Sequence, residues 1–227
     1  MTRIRKVDIF DVDRPGWLDS DLFRQKTFGV TVEAAVVSAG ADGRKIIKAG
    51  TPVGVRSSGM FGPAVKALLV TGTVVANRAI LWLAKKSGVA GNSITVTLQD
   101  PGGNNVTLLV SVTGSAITVR LATGSGGAIT STAAQVIAAV NAYGAAAALV
   151  LAANYLTSNG TGVMLAQAAT NLAGGFNCEF LTLVDCEVTE HDAEVPVIDW
   201  GRVVSGGLPY VPDAGIKEQL PGITFVE

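Results

Sequence analysis

Residues 121–175 contain no aspartate, glutamate, lysine, arginine or histidine, and no cysteine. Between residues 76 and 120 the only charged side chains are Arg78, Lys85, Lys86, Asp100 and Arg120. The two ends of the chain hold the remaining charge, both cysteines and the single histidine. A segment without acids, bases or thiols has little equipment for proton transfer, nucleophilic attack or metal binding. It reads as scaffold or contact surface, so attachment is the first function to consider. The longest apolar run inside it, residues 142–153, is too short to span a bilayer, and Gly144, Asn141 and Asn154 interrupt or bound it.

The rest of the composition narrows the choice further. The chain has 227 residues, 48% of them hydrophobic, enough for one large or two small cores. The net charge is −1, and Arg3, Arg5 and Lys6 form the only close basic cluster, so nucleic acid is not an expected partner. The first thirteen residues lack an apolar stretch of signal-peptide length, which predicts a protein made and retained in a cytoplasm, with no membrane partner. Cys178 and Cys186 on one strand would stand about 26 Å apart at 3.3 Å per residue, so free buried thiols are expected, as in a reducing compartment.

Periodicity predicts a mainly β chain carrying an α+β insertion. A strand is expected over residues 28–37, a turn at Asp42-Gly43, a short strand over 44–49, a bend at Gly50-Thr51-Pro52, a loop over 57–63 and a β-prone run over 64–75. In the middle, Ile80–Ala84 reads as a strand. Ile94, Val96 and Leu98 then alternate with polar residues, as do Val106 to Val112 and Ile117 to Leu121, with turns between them. This pattern predicts an antiparallel meander. Thr132 and Gln135 have capping-box spacing before the apolar stripe Val136, Ile137 and Val140, and Tyr143-Gly144 ends the helix. One helix on the apolar face of a small antiparallel sheet would bury both, with Trp82 in that core. Strands are expected again over 180–188 and 195–204, followed by an extended, proline-spaced tail. The simplest organisation is a β domain split in sequence, residues 1–75 plus 176–227, with residues 76–175 inserted as a guest domain.

Two stretches carry a family likeness. One is DGRKIIKAGTPVG, residues 42–54; the other is residues 181–227, including the pieces Asp185 to Thr189, Gly201 to Val203, Ala214 to Leu220 and Ile223 to Phe225. Together they resemble the head decoration proteins of tailed bacteriophages. Residues 90–97 and 171–175 resemble a module inserted in assorted phage structural proteins. The resemblance implies a small β-rich decoration-type domain ending in a helix and a strand, often trimeric, seated on the outside of a capsid. It implies a structural virion protein that stabilises the shell by bridging subunits of the major capsid protein. It also implies an N-terminal arm over residues 1–23 that helps the seating, and an insert that projects outward.

Candidate contact residues are the aromatics outside strong strand periodicity, Trp17, Phe23, Trp200 and Tyr210, with core packing as the alternative for Trp200. The basic side chains of the 42–54 hairpin, Arg44 and Lys45, join them. No catalytic, cofactor or metal residues are assigned. His191 has Asp185, Glu187, Glu194 and its neighbours Glu190 and Asp192 nearby, but nothing in the sequence positions them as ligands, so a solvated turn is expected. The acidic N-terminus, Asp8 to Asp21, lacks the glycine and closing glutamate of a calcium loop. Ser57-Ser58-Gly59 is not a nucleophile elbow, and no phosphate-binding loop is present. An enzyme is therefore the least expected class. The alternatives to a capsid protein are an adhesion module, whose Asn- and Thr-rich insert faces bind host-surface glycan, and a tail or baseplate component.

Overall fold

The computed structural model describes residues 16–19, 23–26 and 29–227. The fold is mainly β. The chain divides into two compact units, one of Met1–Pro63, Glu179–Pro212 and Leu220–Glu227, the other of Ala64–Cys178 and Asp213–Gln219. The second unit thus extends beyond the 76–175 segment marked by composition. Its first strand, Lys66–Thr71, pairs with Ile80–Ser87, and residues 213–219 pack on that same strand.

In the first unit the strands form a ring of pairings. Val30–Val32 lies antiparallel to Ala193–Val195 and beside Phe61–Pro63. Phe61–Pro63 pairs with Pro52–Val55, which pairs with Phe180–Thr182, which pairs with Val197–Val204. Only Pro196 separates Ala193–Val195 from Val197–Val204, so the two ends of the path are one stretch of chain and the sheet curls on itself. Val30, Val32, Val53, Phe180, Val195 and Val197 fill the interior together with Val37, Ile47 and Val188. Outside this ring, Leu18 bridges to Val203 and Arg24–Gln25 pairs along Val197–Val204, while Ile223–Val226 runs parallel to its last residues. Of the predicted arm, residues 1–15 and 20–22 lie outside the described residues, as does Phe28 of the predicted first strand.

Two predicted strands are broken by polar side chains. The 28–37 segment keeps a strand only at Val30–Val32 and then winds into a 3-10 turn, Ala34–Val36. The Asp192 carboxylate accepts the Ala34 N–H at 2.7 Å and the Lys45 ammonium donates to the Ala34 carbonyl at 2.8 Å, which takes that backbone out of the ladder. The 180–188 segment divides into Phe180–Thr182 and Cys186–Glu187. Asp185, between them, accepts the Ala49 N–H at 2.7 Å and pairs with Lys48 at 2.8 Å, which turns the chain. The two cysteines do not form a disulfide; Cys178 is buried and Cys186 only half-buried.

The second unit has two sheets around one core. Lys66–Thr71, Ile80–Ser87 and Val150–Asn154 form an antiparallel three-stranded sheet. The other sheet runs in the order Gln167–Asn171, Thr95–Gln99, Ala116–Arg120, Leu109–Thr113. The expected antiparallel meander is therefore corrected to a mixed sheet: Thr95–Gln99 and Ala116–Arg120 are parallel, and Leu109–Thr113 pairs on the far side. The connection over residues 100–108 is too long for a tight hairpin. Asn105 and Val106 N–H groups bind the Gly124 carbonyl and the Thr123 hydroxyl, which carries the chain past the neighbouring position.

The predicted capping box is present. The Thr132 hydroxyl accepts the Gln135 N–H at 3.3 Å, and the Gln135 side chain accepts the Thr132 N–H at 2.9 Å. The helix spans Ala133–Ala142, but a second short helix, Gly144–Leu149, follows where a single helix was expected. The apolar run over 146–153 is therefore half helix and half strand. Trp82, Ile117, Val119, Val136 and Val140 are fully buried in the shared core, and the Trp82 indole N–H donates to Thr71 Oγ1 at 2.9 Å.

The proline-spaced tail is not simply extended. It contains the helix Ala214–Gln219 and the strand Ile223–Val226. Asp213 caps the helix by accepting the Ile216 N–H at 3.1 Å, and it also accepts the Ser87 N–H at 3.2 Å and the Ser87 hydroxyl at 2.8 Å. Lys66 stands 3.3 Å away. At the other end the Gln219 side chain accepts the Cys178 N–H and donates to the Ser87 carbonyl. Among the described residues no helix is long and apolar enough to cross a membrane.

Candidate interaction surfaces

The two family-like stretches meet residue by residue in the first unit. Gly43 and Gly50, at φ 79° and 83°, provide the left-handed turns that bracket the short strand Ile46–Ile47. That strand pairs with Cys186–Glu187. The Arg44 guanidinium grips the Glu187 carboxylate with two nitrogens, one at 3.1 Å, and Thr189 donates to the same carboxylate at 2.8 Å. The hydrogen bonds from Arg44 and Thr189 hold the Glu187 carboxyl down to about 2. Lys48 and the Ala49 N–H likewise hold Asp185 below the usual carboxylate range.

The six candidate contact residues occupy different settings. Arg44 and Lys45 are engaged within the unit, Arg44 with Glu187 and Lys45 with the Ala34 carbonyl. Trp17 is buried, its ring against Gly50 and its backbone against Gly207, and the Tyr210 hydroxyl donates to the Gly50 carbonyl at 2.9 Å. These two aromatics, distant in sequence, therefore converge on Gly50, where an added Cβ would stand 2.7 Å from Leu208 and 3.2 Å from Trp17. Phe23 is half-buried. Trp200 is 48% exposed and lies opposite Arg24, whose guanidinium forms a two-pronged pair with Asp199 at 2.7 Å. That pairing holds Asp199 below the usual carboxylate range.

The acids near His191 are acceptors for the fold. Asp192 takes the Ala34 N–H, Glu194 the Gly29 N–H, Glu187 the Arg44 side chain, and Asp185 Lys48 with Ala49. His191 itself is exposed, and the described residues contain no group of three or more His, Cys, Asp or Glu that could hold a metal ion.

No family model, curated protein or solved structure matches this chain. The surfaces themselves must carry the reading.

The second unit presents two contrasting sheet faces. Residues paired across antiparallel strands share a face. On the three-stranded sheet, Trp82 and Ala152 point inward. Leu68, Leu83 and Leu151 form one outward rung, and Val70, Leu81 and Ala153 the next. Ala173, bridged to Leu68, extends the first rung. Leu68 and Leu151 remain 45% and 43% exposed. The sequence reading missed this face. Its signal was the run Ile80–Ala84, which is apolar at every position rather than at alternate ones, as a strand solvated on one face would be.

The four-stranded sheet shows the opposite chemistry. Ile117 and Val119 point inward, so Ala116, Thr118 and Arg120 point outward. Across the strands the outward rungs are Thr95, Ala116, Thr113; Thr97, Thr118, Ser111; and Gln99, Arg120, Leu109. A separate cleft of about 230 Å³ is lined by Arg78, Met164, Leu165 and Gln167 among others. Arg78 is its one ionisable side chain, so the cleft offers charge for binding rather than an acid–base pair.

Proposed function

We propose that this chain is a structural virion protein that binds the outside of a phage capsid and stabilises the shell by bridging capsid subunits. The observation that carries this reading is the convergence of the two motif stretches. Residues 42–54 and 185–189, separated in sequence by Ala64–Cys178 of the second unit, assemble into one corner through Arg44 with Glu187, Lys48 with Asp185, and the Ile46–Ile47 pairing with Cys186–Glu187. The motif thus builds a rigid platform. Rigid platforms suit repeated docking, because little ordering entropy is lost per copy. Trp200, 48% exposed on Val197–Val204 of the same unit, is the leading contact. Many modest contacts would sum over the lattice, since a ligand that binds only the assembled shell stabilises it by mass action.

The test is co-sedimentation of the purified chain with expanded shells lacking decoration, together with the shells' melting temperature. The expected result is binding and a raised melting temperature, with Trp200→Ala weakening both. A chain that stays in the supernatant, or that binds without moving the melting temperature, would overturn the reading.

A second reading, glycan adhesion, is favoured by the hydroxyl rung of Thr97, Thr118 and Ser111 on the outward face of the four-stranded sheet. Binding of the chain to bacterial cells or a glycan array, lost in Thr97→Val with Thr118→Val, would select it.

A further inference from the structure

The geometry points to the Arg78 cleft of the second unit as a binding site for a small aliphatic carboxylate. The cleft has a volume of about 230 Å³, that of roughly seven water molecules, so it takes a small molecule or a chain end rather than a folded partner. Leu98 and Met164, both buried, give it an apolar base, and the exposed Leu165 stands on its rim.

Arg78 is held in place and left without a counter-ion. The turn before it is closed by the Asn77 N–H to the Val74 carbonyl at 2.9 Å and by the Arg78 N–H to the Thr73 carbonyl at 3.2 Å. The Gly162 N–H donates to the Asn77 carbonyl at 2.9 Å, which pins that turn to the segment carrying Met164 and Leu165. Among the described residues, the one polar contact of the Arg78 guanidinium is from Nη1 to the Val163 carbonyl at 3.5 Å, the edge of hydrogen-bonding range. The second unit holds six basic side chains, Lys66, Arg78, Lys85, Lys86, Arg120 and Lys217, against three acids, Asp100, Asp213 and Glu218. Each acid is engaged elsewhere: Asp213 with Ser87 and Lys66, Glu218 with Lys86, and Asp100 with the Gly102 N–H. The local field therefore favours an anion at Arg78.

The lining selects which anion. One guanidinium without a second cation balances one negative charge, and its planar fork matches the two oxygens of a carboxylate. A phosphate dianion would leave a charge uncompensated. The Gln167 side-chain amide donates to Thr170 Oγ1 at 3.2 Å and keeps a second N–H, and the Thr73 hydroxyl adds another donor. Beyond the carboxylate, the remaining volume over Leu98 and Met164 takes about four or five carbons.

The experiment is an NMR titration of the full chain, without capsids, with sodium hexanoate. The Thr73, Leu165 and Gln167 amide signals should shift together and saturate in the millimolar range. Hexanamide, which keeps the tail and loses the charge, should bind at least about tenfold more weakly. Arg78→Gln should raise the hexanoate dissociation constant at least about tenfold, whereas Arg120→Gln, on the outward face of the four-stranded sheet, should leave it unchanged. Leu165→Asp alters only an exposed rim position, so it keeps the fold and should weaken hexanoate by setting an acid beside the cleft. N-acetyl-leucine, which presents the carboxylate of a chain end, separates the two sources: tighter binding than hexanoate assigns the cleft to a chain terminus, and weaker binding to a free acid. Cleft signals that do not move at tens of millimolar hexanoate would overturn the proposal. So would equal binding of hexanamide, undiminished binding in Arg78→Gln or Leu165→Asp, or an equal loss in Arg120→Gln. None of these readouts depends on capsid binding, so the proposal stands or falls apart from the proposed function.

Discussion

Asp213 is the side chain on which the docking of the tail helix turns. Its carboxylate accepts from the Ser87 N–H, the Ser87 hydroxyl and the Ile216 N–H, with Lys66 3.3 Å away, and its side chain is only 18% exposed. Removing it in Asp213→Ala deletes a helix cap worth about 1 kcal/mol. It also strands the Ser87 donors in a half-buried place, at about 1–3 kcal/mol for an unsatisfied group. These losses overlap, so a total of about 3 kcal/mol is expected. Asp213→Asn keeps the shape and one acceptor but loses the charge and sets its amide against the Lys66 ammonium and the Ser87 N–H, for about 1–2 kcal/mol.

Burial pushes the Asp213 carboxyl up, but the Ser87 and Ile216 hydrogen bonds and Lys66 outweigh it, and the net shift is downward. A carboxyl lowered in the folded state stabilises the fold above its unfolded value of about 3.9, and that contribution is lost as the pH falls through the folded value. The native chain should therefore lose tail-helix stability below about pH 4, and Asp213→Asn should lack that dependence. Trypsin cleavage after Lys217 reports the undocking, alongside hydrogen exchange at the Ile216 N–H. Gly215→Ala should expose the same bond by a steric route, since its Cβ would stand 2.5 Å from the Ser87 carbonyl oxygen. If Asp213→Asn keeps native trypsin resistance and the native urea midpoint at pH 7, the helix is held by something other than this carboxylate.

Three more outcomes are expected. In an NMR titration the Glu187 carboxyl should protonate with a midpoint near 2, and Arg44→Ala should move it toward the ordinary glutamate value; an unmoved midpoint would refute the pairing. Trp82→Ala should destabilise the second unit by about 3–5 kcal/mol in urea denaturation, and Trp82→Phe by less, through the loss of the bond to Thr71. Leu156 sits at φ 50° and is 73% exposed, so Leu156→Asn should raise the melting temperature, by up to about 1 kcal/mol of stability; a fall would mean that the leucine makes a contact that offsets its strain.

Local features were legible because neighbouring residues decide them. The capping box at Thr132 and Gln135, the positive φ of Gly43, the bend at Gly50 and the burial of Trp82 all follow from a few adjacent side chains and the apolar pattern. Pairing order was not. Val106 to Val112 and Ile117 to Leu121 alternate as any half-buried strands do, and alternation carries no information about which strand lies beside which, or in which direction. The mixed sheet arises from hydrogen bonds between residues 105–106 and 123–124. The two breaks in predicted strands arise from Asp192 and Asp185, acids far along the chain from the backbone groups they bind.

By itself the sequence determined that the middle of the chain is a charge-poor, β-rich body with one capped helix, because charge content and hydrophobic period are properties of single segments. Tertiary structure alone decided that residues 213–219 belong with that body, that Trp17 and Tyr210 meet at Gly50, and that seven apolar side chains align as an outward face. Each of those results depends on bringing together residues far apart in the chain. That is set by the packing of the whole core and the satisfaction of its polar groups, and no local pattern encodes it.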